Sequence, residues 1–167
     1  MFEPHPVFKA PSDPETSIWR YINVDKFRDL LDTRCLFFAW SDKLGDPYEG
    51  SSSRVNVQRR EEELAKLPLD VRSRMEFHDK DWRKFMAINC WHMNDHESEA
   101  MWRIYLSGGE GIALQSTYNR LVRCFGGAED VFVGVVKYID HNDDPIPDDN
   151  IFWRFLHKRK SLIHERE

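Results

Sequence analysis

The stretch Ile18-Trp19-Arg20-Tyr21-Ile22-Asn23 decides the fold class. Its first five residues alternate apolar, aromatic and charged side chains, the pattern of a short strand. Asn23 then offers a side-chain oxygen to the first turn of a helix. Val24, Phe27, Leu30 and Leu31 fall on one face of that helix. A strand passing straight into an amphipathic helix implies a mixed protein, and the rest of the chain repeats the theme. Residues 35–40 are a continuous apolar run of strand length, expected to be buried on both faces. Residues 85–91 read as another strand. Residues 96–106 form a helix that is apolar almost all round, and therefore expected to be buried. Asn94 and Glu97 have the spacing of a capping box at its start, and Gly108-Gly109 mark its end. Residues 111–116 predict a strand, 117–125 a short helix, and the valine-rich residues 131–139 the strongest strand of all.

Four segments interrupt this order. Residues 1–17 carry four prolines and read as an extended lead-in. Residues 41–53 are a loop. Residues 54–84 hold nine Lys or Arg and seven Asp or Glu. Pro68 divides them, predicting helices at 55–66 and 70–83 and a charged, solvated helical insertion. Residues 140–149 are an acidic turn. Strands and helices alternate without the regular spacing of a doubly wound sheet, and neither G-x-G-x-x-G nor a phosphate-loop motif occurs. The expectation is α+β: one domain over residues 1–167, with a mixed, mostly antiparallel sheet flanked by helices.

At 167 residues, 41% apolar and 32% charged, the chain has the balance of a soluble globular protein. Its net charge of −5 gives no support for a nucleic-acid-wrapping surface. No run approaches the length of a membrane span. The start, Met1-Phe2-Glu3-Pro4-His5-Pro6, has no basic region followed by an apolar one, so no secretory signal is expected. Cys35, Cys90 and Cys124 are too few and too widely spaced for a disulfide framework, so the expected location is a reducing cytoplasm. The excess is in aromatics, with 11 Phe, 6 Trp and 5 Tyr. Most belong in a core, but some could line a pocket for a flat ligand.

Several constellations could carry chemistry. Arg20 and Tyr21 together suit an anion clamp, the guanidinium for a phosphate and the ring for a base or ribose; an edge-strand pair facing water fits the same letters. Gly45-Asp46-Pro47-Tyr48-Glu49-Gly50 is a tight turn that presents two carboxylates three residues apart, apt for ribose hydroxyls or acid–base work and equally for an ordinary exposed turn. Met101-Trp102-x-x-Tyr105 runs into a glycine loop. Glu165 and Glu167 would share one face if the terminus is a strand, where they could hold a ribose hydroxyl and stabilise a developing cation. Cys90, His92 and His96, with His78 or Glu97, match no standard zinc spacing, so no metal is expected.

Taken in order, these pieces resemble a mostly bacterial family, the domain of unknown function 2971 family. The resemblance rests on Trp19-Arg20-Tyr21; Leu36-Phe37-Phe38-Ala39 with Gly45-Asp46-Pro47-Tyr48-Glu49; Cys90-Trp91; Met101-Trp102-x-x-Tyr105 with Gly111-Ile112-Ala113-Leu114; residues 135–138; and Lys158-Arg159-Lys160-Ser161 with His164-Glu165-Arg166-Glu167. Family members usually have Asn where this chain has Gly45. They continue past the last element into a final strand, whereas this sequence ends at Glu167. The family brings no established activity. The order of motifs is also similar to that of ADP-ribosyltransferase-like folds. That analogy implies a nucleotide-handling enzyme with NAD as its substrate, in conflict or phage-defence systems. Arg20, Tyr21, Asp46, Tyr48, Glu49, Trp91 and Trp102 would bind the ligand, Tyr105 would stack on nicotinamide, and Glu165 or Glu167 would act in transfer. The other reading is a non-catalytic regulatory module that docks a protein partner through residues 54–84.

Overall fold

Strand β1 (Ser17–Asn23) is the middle strand of a three-stranded antiparallel sheet, between β4 (His92–Met93) and β5 (Gly111–Thr117). Its pairing with β5 runs from Ser17 opposite Thr117 to Asn23 opposite Gly111. On the other side Ile18 faces Met93 and Trp19 faces His92. Ile18, Tyr21 and Ile22 are buried. Tyr21 and Ile22 are neighbours on a strand and point to opposite faces, so both faces of β1 are covered. The chain is described here by a computed structural model over residues 1–73, 82–106, 109–127 and 129–165. It forms two compact units, each assembled from separated segments. The first takes Met1–Phe37, Asn89–Val136 and Ile163–Glu167; the second takes Phe38–Ile88 and Lys137–Leu162.

In the first unit, Asn23 caps helix α1 (Val24–Thr33) as its side chain expects, accepting from the Lys26 amide at 2.9 Å. Val24, Phe27 and Leu30 are half-buried, but Leu31 is 61% exposed and lies outside the packed face. Helix α3 (Glu99–Leu106) begins after Ser98, whose hydroxyl oxygen accepts from the Met101 amide at 3.4 Å, so the predicted Asn94 capping box is not used. Nor is this helix buried all round: Met101 is sealed in the core, while Ile104 and Tyr105 are exposed. A single apolar seam is enough to dock it against β1. Gly111 permits the close approach of helix and sheet here. A Cβ at that position would lie 2.3 Å from Leu106 Cδ1 and 2.8 Å from the Ile22 carbonyl oxygen. Helix α4 (Tyr118–Arg123) follows β5 and is capped by Thr117.

Two sequence expectations fail in this unit for backbone reasons. Residues 131–139 are not a long strand; the first unit shows only a parallel bridge between Val131 and Phe2. The neighbouring chain is the amino-terminal segment, where Val131 donates to Met1, Glu3 to Val131, and Val135 to Lys9. Pro4 and Pro6 have no amide hydrogen to extend that ladder. The lead-in is thus a packed element that buries Val7. Residues 35–40 likewise do not form a buried strand, and Phe37 is exposed. The Phe37 carbonyl is taken by side chains, from Asn89 Nδ2 at 2.7 Å and Arg20 Nη2 at 3.4 Å, rather than by a strand partner.

In the second unit, β2 (Ala39–Trp40) pairs antiparallel with β3 (Ala87–Ile88), and β6 (Lys137–Ile139) pairs parallel with β7 (His157–Arg159). Strand β7 directly follows the one-turn helix α5 (Trp153–Leu156). Residues 85–91 therefore contain only a two-residue strand, preceded by a 3-10 turn at Trp82–Phe85. Helix α2 (Arg54–Leu64) is capped by Ser53. It is more than a solvated face, because Asn56 and Leu64 are buried. The Asn56 amide pairs with the Ile146 backbone in both directions at 2.7 Å, as a strand neighbour would. Residues 69–73 are helical; the rest of the predicted second helix, up to residue 81, lies outside the described residues. The α+β class holds, with two antiparallel sheets and one parallel pair among the described residues. Among the described residues, no helix is long and apolar enough to cross a membrane.

Candidate functional site

The loop ahead of α2 and the strand β7 build a polar centre in the second unit. Asp46 shapes the loop by accepting from the Tyr48 amide at 3.0 Å, and the Glu49 amide donates to the Asp46 carbonyl at 3.2 Å. Gly50 follows in the left-handed region at φ 68°. A Cβ there would lie 2.6 Å from the Phe155 ring, so glycine lets the loop settle onto α5. This places both loop carboxylates on the cations of β7. Glu49 Oε2 lies 3.4 Å from Lys158 Nζ, with their side chains 1% and 8% exposed. Asp46 Oδ1 lies 3.0 Å from Arg159 Nη2 in a more open setting.

Tyr48 bridges the rim of this centre. It is 45% exposed, and the Arg159 guanidinium carbon sits over its ring, 4.6 Å from the centroid. The His141 ring meets the same tyrosine at 5.7 Å in a T-shaped arrangement. His141 is only 8% exposed. Burial pushes its pKa below the ordinary histidine value, Arg159 and His157 push the same way, and Asp46 and Asp140 oppose them. His157 is buried too, and its pKa is also lowered, chiefly by burial; its Nδ1 lies 2.7 Å from the Trp153 carbonyl oxygen. The centre therefore combines an exposed ring, a guanidinium, two carboxylates, a buried ammonium and an imidazole that is neutral near pH 7. Such a set can bind an anionic ring-bearing molecule and exchange protons with it.

The other residues singled out by the sequence lie in the first unit, and most are committed to internal contacts. Arg20 Nη1 donates to the Asn89 side chain and to the Cys90 carbonyl, both at 2.8 Å. Trp91 donates to the same Asn89 oxygen at 2.7 Å. Arg20 and Trp91 thus share one acceptor and fasten the segment that enters β4. The Tyr21 hydroxyl accepts from the Ser98 amide at 2.8 Å, and its ring packs edge-on to Trp102 with centroids 5.1 Å apart. Burial raises the Tyr21 pKa, partly offset by the Ser98 amide and reinforced by Glu97. The edge-strand reading of Arg20 and Tyr21 is corrected, because β1 is the central strand, and both side chains make hydrogen bonds within this unit. Trp102 donates to Glu97 at 2.9 Å. Tyr105 lies on the open side of α3. Glu165 ends a 3-10 turn at Lys160–Glu165, not a strand, and its carbonyl contacts His92 Nδ1. Glu167 lies outside the described residues. Among the described residues, no three His, Cys, Asp or Glu are grouped as metal ligands, so Cys90, His92 and His96 form no such set.

Sequence reasoning found the loop carboxylates and Tyr48 but missed His141, Lys158 and Arg159 as their partners. The Lys158-Arg159-Lys160 run was visible, but only as one piece of the family resemblance. His141 had no signal beyond standing in an acidic turn. Comparisons with family models, with curated proteins and with solved structures found no match for this chain.

Proposed function

We propose that this protein handles a nucleotide at the Tyr48 rim of the second unit, with NAD as the substrate and ADP-ribosyl transfer as the reaction. The observation that supports the reading is the exposed Tyr48 ring held against Arg159. A phenol ring stiffened by a guanidinium is a stacking surface for a base. Arg159 supplies positive charge for a phosphate, and Asp46 an acceptor for a ribose hydroxyl. The setting is the cytoplasm, where a reducing medium suits three cysteines that form no disulfide. The test is incubation with NAD, following nicotinamide release, together with calorimetric titration of NAD and ADP-ribose. Binding that weakens about tenfold in Tyr48→Ala, the scale of one lost stacking contact, supports the reading. Absence of both nicotinamide release and heat of binding at millimolar ligand overturns it.

A second reading is a non-catalytic module that docks a protein partner through residues 54–84. It is favoured by the way Asp46 and Glu49 are already matched by Arg159 and Lys158. A closed charge network of that kind can serve simply to hold the loop. Native mass spectrometry separates the two readings: a retained nucleotide supports the first, and a stable protein partner with no small molecule supports the second.

A further inference from the structure

We propose that His141 is a ligand-binding residue of this centre, accepting a hydrogen bond from a ribose hydroxyl of the nucleotide. The proposal rests on the nucleotide reading above and adds a residue that nothing in the sequence marked. His141 opens a turn after β6, and its backbone is fixed, since its carbonyl accepts from the Arg54 amide at 2.8 Å. The residue is 8% exposed, yet neither Nδ1 nor Nε2 has a hydrogen-bond partner among the described residues. A neutral imidazole carries one donor and one acceptor. Leaving such groups buried and unsatisfied is costly, and native chains keep few of them.

Among the described residues the other buried imidazoles each engage one carbonyl through Nδ1, although His92 Nε2 is left without a hydrogen-bond partner. His157 is held by the Trp153 carbonyl, and His92 by the carbonyl of Glu165. His141 is the exception, because both of its nitrogens are left over. It is also the histidine that stands beside the exposed rim, in ring contact with Tyr48. Of the charged groups around it, Asp46 is engaged with Arg159. The neutral ring presents one N–H and one lone pair; a sugar hydroxyl, which both donates and accepts, can meet the lone pair, whereas an ionised phosphate oxygen can only accept from the N–H. The ligand class is accordingly a hydroxyl-bearing sugar nucleotide: the ring on Tyr48, the phosphate toward Arg159 and the sugar hydroxyl on His141.

The experiment uses the full chain labelled with ¹⁵N-histidine at pH 7.5, with the ring nitrogens assigned by triple-resonance spectra and ADP-ribose as the probe. Saturable movement of the His141 ring-nitrogen resonances is expected, with those of His92 unmoved. His141→Phe, which keeps the ring and removes the acceptor, is expected to bind ADP-ribose about tenfold more weakly, while His141→Gln recovers part of the loss. If ADP-ribose binds but the His141 resonances stay fixed, the proposal is overturned and the nucleotide reading stands. If ADP-ribose does not bind, both fall. Should His141→Phe fail to fold, the wild-type titration alone decides.

Discussion

Replacing Lys158 with methionine should destabilise this protein by about 3–5 kcal/mol, the usual cost of breaking one side of a buried ion pair. The Lys158 ammonium lies 3.4 Å from Glu49, with side chains 8% and 1% exposed. At that separation and an effective dielectric of about 20, the attraction is about 5 kcal/mol. Most of it offsets the water lost by two charges, so the pair as a whole contributes little net stability. Lys158→Met removes the attraction and leaves the Glu49 carboxylate desolvated. Glu49→Leu removes this carboxylate from the ammonium in the same way and should cost a similar amount. The double variant removes both charges and should return to within about 1–2 kcal/mol of wild type. Strong non-additivity is therefore the signature, read as a double-mutant cycle from urea unfolding. Because whole domains are stable by only about 5–15 kcal/mol, thermal melts should accompany the urea curves. Two single variants that each cost less than about 1 kcal/mol, or costs that simply add, would refute a buried, mutually dependent pair.

Gly50→Ala should cost about 2–5 kcal/mol, combining about 1–2 for a left-handed non-glycine residue with about 1–3 for pressing a methyl into Phe155; chemical denaturation giving less than about 1 kcal/mol contradicts the close approach. Met101→Ala, at the most buried large side chain of α3, should cost about 2–5 kcal/mol in the same assay, and a loss well below that range means the site is not sealed. Arg20→Leu should lower stability by about 1–3 kcal/mol through its abandoned acceptors, while ADP-ribose affinity stays within twofold; selective loss of affinity would restore Arg20 to the ligand site. Acid should weaken the fold through His141 and His157, whose pKa values burial holds below the ordinary value near 6.5. The unfolded chain takes up protons that the folded chain resists, so stability is full above about pH 6.5 and is lost as the pH falls through the lowered values. Calorimetric melting temperatures should decline below pH 6.5, less steeply in a variant with both histidines replaced by phenylalanine. A flat profile from pH 7 to 5 contradicts this linkage.

Local chemistry made part of this fold legible. The alternation at Ile18 to Ile22 and the oxygen of Asn23 both act within one turn or one strand, and the structure places them as that chemistry requires. The errors share a cause. Residues 35–40 and 131–139 are apolar enough for strands, but a strand exists only where a neighbour can supply hydrogen bonds. For the first the neighbour is a pair of side chains; for the second it is a segment broken by prolines. The apparent burial of α3 fails likewise, since composition counts apolar residues without knowing how wide a face will be covered.

The sequence by itself determined the class of structure, the carboxylate-bearing turn and the reserve of aromatic rings, because each depends on residues close along the chain. Only tertiary structure decided that Arg20 and Tyr21 are spent on internal bonds, and that Asp46 and Glu49 meet Arg159 and Lys158 from more than a hundred positions away. Charge attraction and burial act through space, so partners that far apart leave no shared pattern in the letters. His141 is the extreme case: its significance lies in the bonds its ring does not make, and no sequence records those.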